Sequence, residues 1–69
     1  MEVKATMAGS VWKITVDKGE KVEEGQDVVI LESMKMEIPI AAEQSGTIKE
    51  FKVQEGDFVN EGDVIAVLE

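Results

Sequence analysis

Between Ser33 and Glu37 the chain reads Met34-Lys35-Met36, a primary amine flanked on both sides by a thioether. Two long, flexible, apolar side chains are an unusual choice beside a lysine at a turn, where Gly, Asn, Asp or Ser are the usual residues. A lysine that works as a Schiff-base nucleophile needs a pocket that favours the neutral amine, and a protruding turn offers none. Lys35 is therefore a candidate to be acted upon, by an enzyme that brings an activated acyl group and a general base. Met34 and Met36 are candidates for recognition by that enzyme. The plainer alternative makes Lys35 one solvated lysine of seven, with both methionines folded back onto the protein.

Little else in the chain could carry catalysis. Its 69 residues include neither histidine nor cysteine, which removes disulfides, thiolate nucleophiles, the common zinc ligands and the usual proton shuttle at neutral pH. Glu32 and Glu37 bracket the lysine and could be read as an acid/base pair, but with no cleft nearby they read as solvated strand-end charges. No catalytic residue and no metal ligand set is nominated. Fifteen acidic residues against seven lysines give a net charge of −8, with no arginine, which disfavours nucleic acid as a partner. Apolar runs such as Val28 to Leu31 and Ile38 to Ala42 fall far short of the ~20 residues of a membrane span. No basic-then-apolar leader opens the chain, so a soluble cytoplasmic protein with no membrane partner is the expectation.

The elements that hold Lys35 are legible in an internal repeat. At an offset of 37, residues 5–32 align without a gap on residues 42–69. Nine of the 28 pairs are identical, among them Gly9/Gly46, Gly19/Gly56, Val22/Val59, Gly25/Gly62 and Leu31/Leu68, where composition alone gives roughly two or three. Each copy reads as short strands: Ile14 and Val16 alternate with polar neighbours, as do Phe51 and Val53, and the runs 28–31 and 64–68 are rich in β-branched residues. The apolar spacing of three from Val11 to Ile14, and from Ile48 to Phe51, predicts a bulge or bend in each copy. Gly19, Gly25, Gly56 and Gly62 predict tight turns at positive φ, and their spacing does not make a phosphate loop.

One copy cannot cover a sheet face alone, whereas two related by a pseudo-twofold axis can cover each other. The expectation is an all-β, single-domain chain over 1–69, a two-sheet sandwich or flattened barrel, with 33–41 connecting the copies. A hairpin is the shortest crossing, and it puts Met34-Lys35-Met36 at its tip, away from the chain termini. Pro39 fits an edge strand. Trp12 aligns with Lys49, which places it outside the core or partly packed on the N-terminal segment.

Glu32-Ser33-Met34-Lys35-Met36-Glu37, set between two copies of Gly-acid-x-Val-x-x-Gly, resembles the biotinyl domain of biotin-dependent carboxylases in the biotin/lipoyl attachment family. The resemblance covers essentially the whole chain. It implies a flattened barrel or sandwich of two four-stranded antiparallel sheets, with covalent biotin on Lys35 attached by a biotin protein ligase. It also implies a carrier that is not itself an enzyme, taking a carboxyl group on biotin from a biotin carboxylase site to a carboxyltransferase site. Ser33 stands where the family most often has Ala. Ala5-Thr6-Met7-Ala8-Gly9 and Ala42-Glu43-Gln44-Ser45-Gly46 lack the family's common prolines, and the unbroken register is closer to domains without a thumb insertion. Two alternatives share the fold: a lipoyl carrier, whose lysine typically follows Asp and precedes a small residue, and an unmodified interaction module.

Overall fold

The computed structural model describes residues 1–69. Eight strands form: β1 (Glu2–Lys4), β2 (Gly9–Ile14), β3 (Lys21–Val22), β4 (Asp27–Ser33), β5 (Met36–Ala41), β6 (Gly46–Phe51), β7 (Phe58–Val59) and β8 (Val64–Leu68). They make two four-stranded antiparallel sheets of order β1-β8-β6-β3 and β5-β4-β2-β7. The 37-residue offset carries β2 onto β6 and β3 onto β7 residue for residue, and β4 onto β8. It extends to β1 and the second half of β5, so one sheet order maps onto the other. No helix is long and apolar enough to cross a membrane.

The two halves interlock rather than sit side by side. β3 from the first copy pairs with β6 of the second, and β7 from the second pairs with β2 of the first. Backbone hydrogen bonds repeat under the same rotation. The amide of Gly19 donates to the Ile48 carbonyl at 2.8 Å and that of Gly56 to the Val11 carbonyl at 2.8 Å. The amides of Gly25 and Gly62 donate to Ala42 and Ala5 at 2.8 and 2.9 Å. Gly19 and Gly56 reach those carbonyls with φ of 88° and 97°, the left-handed region that a Cβ disfavours. Neither copy closes its own sheet, so the repeat folds as a pair.

Packing follows the repeat too. The fifteen-residue core contains seven mate pairs, Val3/Ile40, Ala5/Ala42, Val11/Ile48, Val22/Val59, Val28/Ile65, Val29/Ala66 and Leu31/Leu68, with Val16 completing it. Its mate Val53 packs against the core while only half-buried. All fifteen are Val, Ile, Leu or Ala, whose burial removes apolar area from water with few rotamers to freeze.

Both expected bulges are present, as register shifts between Val11 and Lys13 and between Ile48 and Glu50. The alternation around them runs past the strands, however. β2 ends at Ile14 and β6 at Phe51, so Val16 and Val53 reach the core from outside the ladder. In the first copy the chain is held at that exit by the Thr15 hydroxyl, 2.9 Å from both the Asp27 and Val28 carbonyls. Pro39 lies on β5, an edge strand, where its missing N–H leaves no interior gap. Met1 and Leu68 hydrogen-bond to each other, the Leu68 amide donating to the Met1 carbonyl at 2.7 Å; their mates are Ile38 and Leu31, which pair two steps below the turn in the other sheet.

Candidate functional site

β4 and β5 form a hairpin whose last pairs are Leu31 with Ile38, Glu32 with Glu37, and Ser33 with Met36. Only Met34 and Lys35 remain as the loop. Met36 is thus the first residue of a strand rather than part of the tip, a tighter turn than the sequence suggested. Two-residue connections whose bend matches the right-handed twist of their strands are types I′ and II′, and type I′ places positive φ at both central residues. Met34 and Lys35 have φ of 53° and 64°, and they are the only residues other than glycine with positive φ.

That conformation disfavours L-residues by about 1–2 kcal/mol each, which is why such turns favour Asn-Gly. A less strained sequence for this hairpin therefore exists, and the chain does not use it. Non-glycine residues in the left-handed region cluster where strain serves a function. The ladder from Asp27/Ala41 to Ser33/Met36 holds them there.

Lys35 is exposed, and Met34 and Met36 are 92% and 64% exposed. The methionines do not fold back on the sandwich, in contrast to the plainer reading of the sequence. Met36 lies on the same side of the hairpin as the inward-facing Leu31 and Ile38, so its exposure marks where the opposite sheet stops. The chain's two ion pairs are Lys4 with Glu2 at 3.8 Å and Lys52 with Glu50 at 3.1 Å, and Lys35 makes neither an ion pair nor a side-chain hydrogen bond. No cavity opens beside it. Glu32 and Glu37 stand directly opposite each other one pair below, exposed on the outer face, with no cleft between them.

The backbone closes tightly behind the hairpin. Gly9 runs so close to β4 that a Cβ there would lie 2.9 Å from the Glu32 carbonyl oxygen and 3.4 Å from the Ser33 Cβ. At the mate position, a Cβ on Gly46 would lie 3.2 Å from the Glu69 carbonyl oxygen.

On the outer faces the symmetry breaks. Phe58 pairs with Ser10, which pairs with Glu32 and in turn Glu37, so one row crosses the hairpin-bearing sheet. Phe58 is 64% exposed and Trp12, the extra residue of the bulge, 48%. Their mates in the other sheet are Lys21 and Lys49, and the mate of Pro39 is Glu2. Four of the six exposed large apolar residues, Trp12, Met34, Met36 and Phe58, thus lie on the sheet that carries Lys35 or on its hairpin turn. The sequence puts Trp12 outside the core or partly packed on the N-terminal segment, and it lies outside the core, about half exposed; for Phe58 the signal in the sequence is its lysine mate, which the repeat alone does not single out.

What this arrangement offers chemically is presentation: one amine, unpaired and clear of the body, on a turn fixed by a rigid ladder. Against that geometry, a family model described as "Biotin-requiring enzyme" (Biotin_lipoyl) matches residues 1–68. The chain belongs to the biotin/lipoyl attachment family. A biotin/lipoyl attachment protein of Bacillus subtilis is 60% identical over 68 residues, 99% of this chain and 93% of that protein. The propionyl-CoA carboxylase alpha chain of Homo sapiens is 39% identical over 67 residues, 97% of this chain but 9% of that one. The crystal structure of Kluyveromyces lactis urea carboxylase superimposes with a TM-score of 0.93 at 33% identity, covering 100% of this chain and 6% of that one. As a biotin/lipoyl attachment domain, the chain has the sandwich of its carboxylase relatives, of whose length it spans a small part.

Proposed function

We propose that this attachment domain is a biotin carrier, biotinylated on Lys35. One observation carries the assignment: Lys35 is an unpaired, exposed amine on a strained two-residue turn between two exposed methionines, in a member of the biotin/lipoyl family. In the reaction, the Lys35 Nζ gives up a proton and forms an amide with the carboxyl carbon of biotin, which a biotin protein ligase activates with ATP, and the bond to the ATP-derived leaving group breaks as the C–N bond forms. The amide removes the lysine charge and takes the formal net charge from −8 to −9. An exposed, partner-free amine fits that bond, and the absence of a cavity fits a group that must leave the protein surface to work elsewhere.

Met34 and Met36 give the ligase adaptable apolar contact on either side of the amine, where a charge would have to be desolvated. Once attached, biotin supplies carboxyl-carrying chemistry, and the chain supplies an anchor that raises its concentration at two enzyme sites. On this reading those sites are a biotin carboxylase and a carboxyltransferase, in subunits or domains of a cytoplasmic system; relatives named as carboxylases support the carboxylase setting. The whole of residues 1–69 acts as one carrier domain and is not itself a catalyst. The lipoyl alternative has no residue in its favour at 34 or 36.

The test is a streptavidin blot and intact mass of the protein from biotin-fed cells, with Lys35→Arg beside it. A biotin adduct on the wild type and none on the variant is expected. Label that persists on Lys35→Arg removes Lys35 from the reading, and a wild type that stays at its unmodified mass beside an active biotin ligase and an active lipoate ligase makes it an interaction module.

A further inference from the structure

The chain contains no cysteine, so its sulfur is confined to Met1, Met7, Met34 and Met36. None of them is in the core; all four are exposed, with Met34 the most exposed at 92%, Met36 next at 64%, then Met1 at 53% and Met7 at 37%. The two most accessible thioethers are therefore the two beside Lys35. Exposed thioethers react with peroxides, and the product sulfoxide turns a flexible apolar side chain into a polar, chiral one. In most proteins such oxidation disturbs packing. Here the fifteen core residues are Val, Ile, Leu and Ala, so none of the four oxidisable sulfurs lies in the core.

We propose that Met34 and Met36 form a redox-modification site which, when oxidised by hydrogen peroxide, blocks acylation of Lys35 without unfolding the protein. In the balanced step, each thioether sulfur gives an electron pair to one peroxide oxygen. An S–O bond forms, the O–O bond breaks, sulfur is oxidised by two electrons, and the other oxygen leaves as water. The inference rests on the biotin-carrier reading and adds regulation to the same turn. A ligase surface shaped for two apolar side chains would have to desolvate two sulfoxide oxygens for which it offers no donors. Reversal needs no new synthesis of the chain, because methionine sulfoxide reductases, one for each epimer, return the thioether with two electrons and two protons from a dithiol, which becomes a disulfide while the oxygen leaves as water.

The experiment uses the full chain in its unbiotinylated form, treated with hydrogen peroxide and then offered to a biotin protein ligase with biotin and ATP. Peptide mass spectrometry should show Met34 and Met36 oxidised ahead of Met7. Circular dichroism and the unfolding midpoint should be unchanged, and kcat/KM for biotinylation should fall by about tenfold or more. Treatment with both reductases and a dithiol reductant should restore the rate. A Met34→Leu, Met36→Leu double variant should keep its rate after peroxide at whatever level it starts from. Unchanged kinetics of the oxidised wild type would overturn the proposal, as would an equal loss in the double variant, which would assign the effect to Met1, Met7 or Trp12. Should untreated wild type accept no biotin, the carrier reading itself fails and this inference with it, an outcome distinct from the other two.

Discussion

Gly9 and the carbonyl of Glu32 approach so closely that a methyl group on Gly9 would lie 2.9 Å from the oxygen, against backbone that cannot swing aside. Strand β2 is thereby pressed against the base of the hairpin that carries Lys35. Gly9→Ala should lower stability by about 1–3 kcal/mol, the range for overpacking a close contact. Gly46→Ala should be milder, because its nearest backbone oxygen is 3.2 Å away and one neighbour is the flexible end of Met1. Urea unfolding of the two variants side by side checks the order.

The strain at the tip makes an opposite prediction. Replacing Met34-Lys35 by Asn-Gly gives the turn the residues its φ values favour. Stability should rise by about 1–2 kcal/mol, and biotin incorporation should vanish. A hairpin that became less stable on this change would show that the methionine or lysine side chain holds the turn.

Gly19 and Gly56 sit at mate positions, each at positive φ and each donating to the other half's strand. Nothing lies within 4 Å of a Cβ built on either, so alanine brings conformational strain with no clash. The two single variants should lose about 1–2 kcal/mol each, and equally. Thermal melts that differ widely would show that the halves are not mechanically equivalent.

Trp12→Lys and Phe58→Lys install the residues that the other sheet carries at the mate positions. Both sites are exposed, so each change should stay within about 0.5 kcal/mol of wild type. Equilibrium denaturation measures this, and a loss several times larger would mean that these rings hold the sheet together.

Much of the framework was legible in the sequence because it is written twice. Gly19, Gly25, Gly56 and Gly62 announced their turns, and the three-residue spacings at Val11 and Ile48 announced both bulges, since each signal is local and its copy confirms it. The mate pairs Val22/Val59 and Leu31/Leu68, identical in the repeat, are buried together. What local pattern could not convey was ladder register. Whether Met36 belongs to the tip or to β5 depends on which residue faces Ser33, a long-range pairing set by the whole hairpin. For the same reason Val16 looked like a strand residue, although β2 has already ended at Ile14. Phe58 was hidden because β7 is only two residues long, too short for alternation to tell its faces apart.

The hydrogen-bonded neighbours Met1 and Leu68 belong to one sheet and the Lys35 turn to the other. Flanking polypeptide, wherever a longer chain houses this architecture, would enter and exit together like the two cords of a pendant. Its attachment point would then be separate from the swinging ornament, so splicing into a host need not crowd the amine.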